Sequence, residues 1–225
     1  MAADTFFHSV LFSFPTVICL FCGYFLGNLN GAMICSNLFH REDIRKKGSG
    51  NAGLTNYFRT YKSWDTLIVI LIDAGKAMLA CFIGKLIFQA LLPGNELEVL
   101  RFGSMICGSA AVVGHIFPVF YGFHGGKGIL ACAAVAAYMS IWVFLILLGV
   151  FALIVLLTKY VSLGSIIACI VYPILFVIFF PQNLPVILLA ALTAALDIFM
   201  HRSNIARLFK GTESKIFLFP RNTDI

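Results

Sequence analysis

The sequence predicts an all-α fold: a polytopic membrane protein of seven transmembrane helices, with its N-terminus outside and its C-terminus cytoplasmic. Three observations predict it. Of 225 residues, 60% are hydrophobic and 12% charged, with a mean hydropathy of +0.96, whereas a soluble domain is about half apolar and about a quarter charged. The apolar residues fall in runs close to the ~20 residues that a spanning helix needs. The basic residues gather in a few of the segments between those runs. The length suits one membrane-embedded domain over residues 1–225.

The first helix is expected over residues 6–29. Residues 1–5 hold no Lys or Arg, so the basic region of a cleavable leader is missing and the run reads as a retained helix. Further helices are expected near residues 64–92 and 102–121. The stretch 128–158 holds 31 residues, too many for one crossing and few for two. Two short helices turning near residues 138–141 are expected there, followed by helices at 163–180 and 184–200.

Charge placement sets the count and the orientation. Six of the 16 Lys and Arg lie in residues 40–62, and five lie in the tail at Arg202, Arg207, Lys210, Lys215 and Arg221. Lys127 and Lys159 sit in short connections, whereas residues 93–100 carry Glu96 and Glu98 and no base. Basic segments face the cytoplasm. An outside N-terminus and an inside C-terminus follow, which requires an odd number of crossings. The seven cysteines, at 19, 22, 35, 81, 107, 132 and 169, are scattered through apolar runs and read as small buried residues.

Four polar segments interrupt the apolar pattern on the expected cytoplasmic side. The first contains Gly48-Ser49-Gly50-Asn51-Ala52-Gly53 and continues through Thr55 and Asn56 to Arg59. Glycines let several backbone N–H groups converge on one anion. Ser49, Asn51, Thr55 and Asn56 add neutral donors, and Arg45 and Arg59 can bind phosphate through two charge-assisted hydrogen bonds. The G-x-x-x-x-G-K-[ST] nucleotide loop is absent. The second segment pairs Gly114-His115 with Phe123-His124-Gly125-Gly126-Lys127-Gly128. Lys127 precedes an apolar helix, where a lysine can also merely snorkel. The third, Ser162-Leu163-Gly164-Ser165, opens a helix, where hydroxyls cap or bind anions. The fourth runs His201-Arg202-Ser203-Asn204 to Arg207, Gly211 and Glu213, and a basic tail beside a membrane also suits anionic headgroups. Asp73 and Lys76, three apart within the second expected helix, share one face. Intramembrane charges are functional sites or packing locks.

Taken together and in order, these segments resemble the bacterial membrane acyl-phosphate:glycerol-3-phosphate acyltransferase family. The matching residues are Gly48-Ser49-Gly50-Asn51, Gly53, Thr55, Asn56, Arg59, Gly114-His115, Phe123, Gly125-Gly126-Lys127-Gly128, Ser162-Leu163-Gly164-Ser165, His201, Asn204, Gly211 and Glu213. One stretch and one residue depart from the family pattern: Gly27-Asn28-Leu29-Asn30-Gly31 replaces a G-S-x-P, and Ala77 stands where glycine is common.

The resemblance implies transfer of an acyl chain from acyl phosphate to the 1-hydroxyl of glycerol 3-phosphate, with no metal and no cofactor. The catalytic set is expected at Ser49, Arg59, Lys127, His201 and Asn204. Substrate binding is expected at Arg45, Gly50, Asn51, Gly53, Thr55, Asn56, His115, Gly125, Gly126, Ser165 and Glu213. A substrate phosphate oxygen is the expected base, with His201 or His115 as rivals. The expected partners are the two substrates and membrane lipid, with no nucleic acid and no obligatory protein. The expected location is the bacterial inner membrane. No His has an Asp five positions later, so the H-x-x-x-x-D acyltransferase motif is absent. An organic-anion or phosphate-ester transporter is the competing reading; such proteins show paired repeats with broken helices at the midplane, and no repeat relates the two halves here. A lipid-binding scaffold is a third, and it leaves the convergent phosphate donors unexplained.

Overall fold

The computed structural model describes residues 10–11, 13–92 and 96–216. The described residues are helical, with two short 3-10 turns and no strands. In chain order the helices are α1 (Phe14–Gly27), α2 (Gly31–His40), α3 (Leu54–Tyr61), α4 (Thr66–Leu91) and α5 (Leu97–Ile116). There follow α6 (Ile129–Met139), α7 (Ile141–Thr158), α8 (Val161–Phe179), α9 (Leu184–Met200) and α10 (Arg202–Phe209).

Five helical segments are long and apolar enough to cross a membrane: the 27-residue α1–α2 unit, α4, α5 with its following turn, α7 and α8. A sixth is reached when α9 and α10, bent by 55°, count as one. The segment 128–158 does divide, at Ser140, whose extended backbone ends α6 and whose hydroxyl accepts the Val143 N–H that opens α7. With 11 residues, α6 is short of an ordinary crossing.

α5 is the hub. It packs against α1 on one side and α4 on another, and it is the most enclosed of the long helices, while α7 exposes most of its apolar surface. The close packing comes from small residues, as is common between helices in lipid. At the α4–α5 crossing, a Cβ placed on Gly84 would lie 2.1 Å from the Gly103 carbonyl oxygen, so the backbones touch.

Several expected boundaries change. The helix expected at 102–121 starts at Leu97 instead, because Glu98 and Arg101 pair with each other and Asn183 donates to the Glu98 carboxylate and carbonyl. It stops at Ile116, two residues before Pro118, whose ring nitrogen cannot donate. The first expected helix is described from Val10 apart from residue 12, and breaks at Asn28–Asn30, where Asn30 caps α2 by accepting the Met33 N–H. The part of that expectation over residues 6–9 lies outside the described residues, as does Arg221.

Candidate active site

The first polar segment is shaped by a buried amide. Asp43 caps a 3-10 turn, and fully buried Ile44 anchors that turn beneath α2 and α4. Beyond it, Gly48 takes the left-handed conformation at φ 56°. The Asn56 side chain then gathers the loop: its Oδ1 accepts the Ser49 N–H at 2.9 Å, and its Nδ2 donates to the Lys47 and Asn51 carbonyls at 3.0 Å each. A Cβ on Gly48 would lie 2.3 Å from Asn56 Oδ1, so glycine is required twice over at that position. Ser49, Asn51, Gly53, Leu54 and Thr55 face a cavity, with Gly53 at the N-cap of α3.

The second segment folds back onto the end of α5. Gly125 and Gly126 donate their N–H groups to the Ile116 and His115 carbonyls at 3.1 Å each. A Cβ on Gly126 would lie 2.0 Å from His115 Nε2. That tight return delivers Lys127 to the cavity, where its Nζ donates to Asn204 Oδ1. Burial of the ammonium pulls the Lys127 pKa down to about 8, against the pull of Glu213 and with the help of nearby Arg207 and Arg59.

The tail closes the ring. Asn204, on α10, donates Nδ2 to Glu213 Oε1 at 2.7 Å. The same oxygen accepts from Ser162 Oγ at 2.7 Å, and Arg207 Nε donates to Glu213 Oε2 at 2.7 Å. Burial pushes the Glu213 carboxyl up, but hydrogen bonds from Asn204, Ser162 and Arg207 outweigh it and hold the group below its usual value. His201 donates Nδ1–H to the Asp197 carbonyl at 2.7 Å, since a carbonyl only accepts, which leaves Nε2 as its basic nitrogen. Arg59 reaches across from α3 to the Ser214 carbonyl at 3.2 Å.

These groups surround one cavity of about 920 Å³. Its polar end carries Ser49, Arg59, Lys127, His201, Asn204 and Glu213. The other end runs between α6, α7 and α8, past Phe144, Leu147, Phe151 and Ala168. A site of this form can hold phosphoryl groups at one end and an apolar chain at the other.

Of the residues expected from sequence, the cavity brings together Ser49, Asn51, Gly53, Thr55, Asn56, Arg59, His115, Lys127, Ser165, His201, Asn204 and Glu213. Four expected residues lie elsewhere. Arg45 is clamped by both oxygens of Asp43 and donates to the Tyr121 carbonyl at 2.7 Å, so its guanidinium is already occupied. Gly50 closes a turn by donating to the Lys47 carbonyl, and Gly125 and Gly126 give their N–H groups to α5. His115 lies in the wall with its Nδ1 against Lys76 Nζ at 2.9 Å. An ammonium only donates, so that lone pair is occupied and His115 is left with an N–H at Nε2 rather than a free base. Ser162, Arg207 and Asp197 also line the cavity and were not in the expected set. The hydroxyl-rich start of α8 and the basic tail carried the signal for the first two.

A family model described as glycerol-3-phosphate acyltransferase matches residues 17–211. The chain is 40% identical over 193 residues to a glycerol-3-phosphate acyltransferase of Finegoldia magna, covering 86% of this chain and 92% of the relative. It is 40% identical over 200 residues to one from Thermoanaerobacter pseudethanolicus, covering 89% and 95%. Among solved structures, it is similar to PlsY (YgiH), an integral membrane glycerol 3-phosphate acyltransferase, in its glycerol 3-phosphate form. The TM-score is 0.78 at 30% identity, over 90% of this chain and 96% of that one. The lysophosphatidic acid form gives a TM-score of 0.75 at 29% identity, over 90% and 95%.

Proposed function

The chain belongs to the glycerol-3-phosphate acyltransferase family, and from that premise we propose that its acyl donor is acyl phosphate. The acyl group passes to the 1-hydroxyl of glycerol 3-phosphate, the first acylation of phospholipid synthesis. The carbonyl–oxygen bond to phosphate breaks, the bond to the glycerol oxygen forms, and the hydroxyl proton leaves with inorganic phosphate. The observation that carries this reading is the single cavity with a polar end drawn from four distant segments and an apolar trough.

Acyl phosphate is already activated, so the protein's task is mainly to hold two phosphoryl groups and one chain in attack geometry, which is worth about 7–11 kcal/mol. In this reading Ser49, the loop backbone and Thr55 at the start of α3 hold one phosphate. Arg59 and Lys127 neutralise charge. Ser165, His201 and Asn204 orient glycerol 3-phosphate, with Glu213 fixing Asn204. A donor phosphate oxygen takes the hydroxyl proton, and His201 Nε2 is the rival base. The occupied Nδ1 of His115 argues for a positioning role there.

The basic loops support seven crossings, an outside N-terminus and a site facing the cytoplasm across the inner membrane, with α6 as a short crossing inside the bundle. Reconstitution into vesicles separates this reading from transport. With palmitoyl phosphate and glycerol 3-phosphate, the expected result is lysophosphatidic acid in the vesicle membrane. Uptake of glycerol 3-phosphate without any acylated product would favour the transporter.

A further inference from the structure

The trough contains polar groups that an ordinary fatty chain would leave without partners. Asp197 is fully buried and lines the cavity, and neither of its carboxyl oxygens has a well-aligned hydrogen bond among the described residues. The Tyr172 hydroxyl, from α8, is likewise buried and without one. The Cys132 thiol is near enough to both groups to be a weak hydrogen-bond partner, but it has one proton to share among three oxygens. Gly128 makes room for the carboxyl: a Cβ there would lie 2.3 Å from Asp197 Oδ1. Buried polar groups are nearly always satisfied, and each exception asks for a ligand or another explanation.

The position of the cluster narrows the ligand. Asp197 is four residues before His201, the residue that caps the end of α9, a helical rise of about 6 Å, and Gly128 directly follows Lys127. The cluster is therefore just inside the polar end, where the first few carbons of a bound acyl chain must pass. Buried without a cation beside it, the Asp197 carboxyl is a neutral acid, so it and the tyrosine hydroxyl can each donate and accept. Their shared partner is a hydroxyl.

We propose that Asp197 and Tyr172 form a subsite for a hydroxyl near the carbonyl end of the acyl chain, so that the preferred donor is a 3-hydroxyacyl phosphate. The inference rests on the acyltransferase reading and adds a substrate class to it. The chain hydroxyl takes no part in the bond exchange at the carbonyl.

Competition between 3-hydroxypalmitoyl phosphate and palmitoyl phosphate tests it. Wild-type protein should favour the hydroxylated donor by at least about tenfold in kcat/KM, because a site built around a hydroxyl rejects the analogue that lacks it. Asp197→Leu and Tyr172→Phe should each bring the ratio towards one. A wild-type ratio of one or less, or a ratio unchanged in both variants, overturns the subsite. Thermal shifts with 3-hydroxypalmitate and palmitate give a readout independent of turnover. If neither donor reacts but the hydroxylated acid stabilises the protein more, and Tyr172→Phe removes the difference, the acyltransferase reading fails and the subsite stands. Equal shifts count against the subsite.

Discussion

Lys76 Nζ lies 2.9 Å from His115 Nδ1, both side chains buried between the helices. The same ammonium donates to Asp73 Oδ1 at 2.8 Å and to the Leu29 carbonyl at 2.6 Å. Asp73 Oδ1 also accepts the Gly31 N–H at 3.0 Å. One buried cluster thus joins the α1–α2 break, α4 and the end of α5, from which the Lys127 loop returns. Removing one member leaves the other charge buried and unpaired, which costs about 3–5 kcal/mol. Lys76→Met should therefore lower the thermal midpoint in detergent strongly, and Asp73→Asn with Lys76→Met should recover part of the loss. Equal midpoints for the single variant and wild type would contradict the assignment.

Asn56→Ala removes the amide that holds Lys47, Ser49 and Asn51 together. Those backbone groups are then less well satisfied, at about 1–3 kcal/mol for a buried donor or acceptor left unmade. We expect reduced stability and a rise of more than tenfold in KM for the phosphate substrates. Asn56→Asp keeps the acceptor for Ser49 and loses the two donations, so its defect should lie between wild type and alanine.

Lys127 gives a pH dependence with opposite signs in two measurements. Its ammonium is charged below about pH 8 and loses its proton as pH rises through that value. Charge-assisted binding weakens accordingly, so kcat/KM should fall above about pH 8, and Lys127→Arg should remove that inflection. Between about pH 8 and the ordinary lysine value, the unfolded chain binds more protons at this residue than the folded chain does. Its contribution to stability therefore rises with pH over the same window. A decline in activity caused by unfolding would have the contrary sign in the stability measurement.

Glu213 fixes Asn204 from behind. Glu213→Gln loses the charge that pairs with Arg207 and changes what Ser162 and Asn204 meet. Since misplacement of a substrate-orienting group by 1 Å can cost on the order of 100-fold, a loss of that order in kcat/KM is expected. The carboxyl is held below its usual value, so its stabilising effect is present above the ordinary Glu value and disappears as pH falls through the folded one. Wild type should show this acid-side loss in thermal unfolding, and Glu213→Gln should lack that component.

Much of this was legible in the sequence, for reasons that can be named. The glycine and amide residues of 48–56 stand out against apolar runs because a bent backbone needs them. The turn inside 128–158 follows from length, and it falls at Ser140, the residue there best suited to cap a helix. Arg45 shows the limit. Its charge suggests phosphate, but Asp43, two residues earlier, takes the guanidinium. The Ser162 hydroxyl stands out at the start of α8, but its partner Glu213, 51 residues away, could not be read locally. Helices α3 and α10, eight residues each, carry their polar residues to the cavity and lack the length that makes a periodic pattern stand out.

We propose above all that one cavity joins an acyl phosphate to glycerol 3-phosphate. The most direct test of this is the stoichiometry of a purified sample supplied with palmitoyl phosphate and glycerol 3-phosphate, with palmitoyl-CoA as the rival donor. The expected result is one inorganic phosphate released for each lysophosphatidic acid formed, and no product from palmitoyl-CoA. Lysophosphatidic acid made from palmitoyl-CoA, with palmitoyl phosphate left intact, would contradict it.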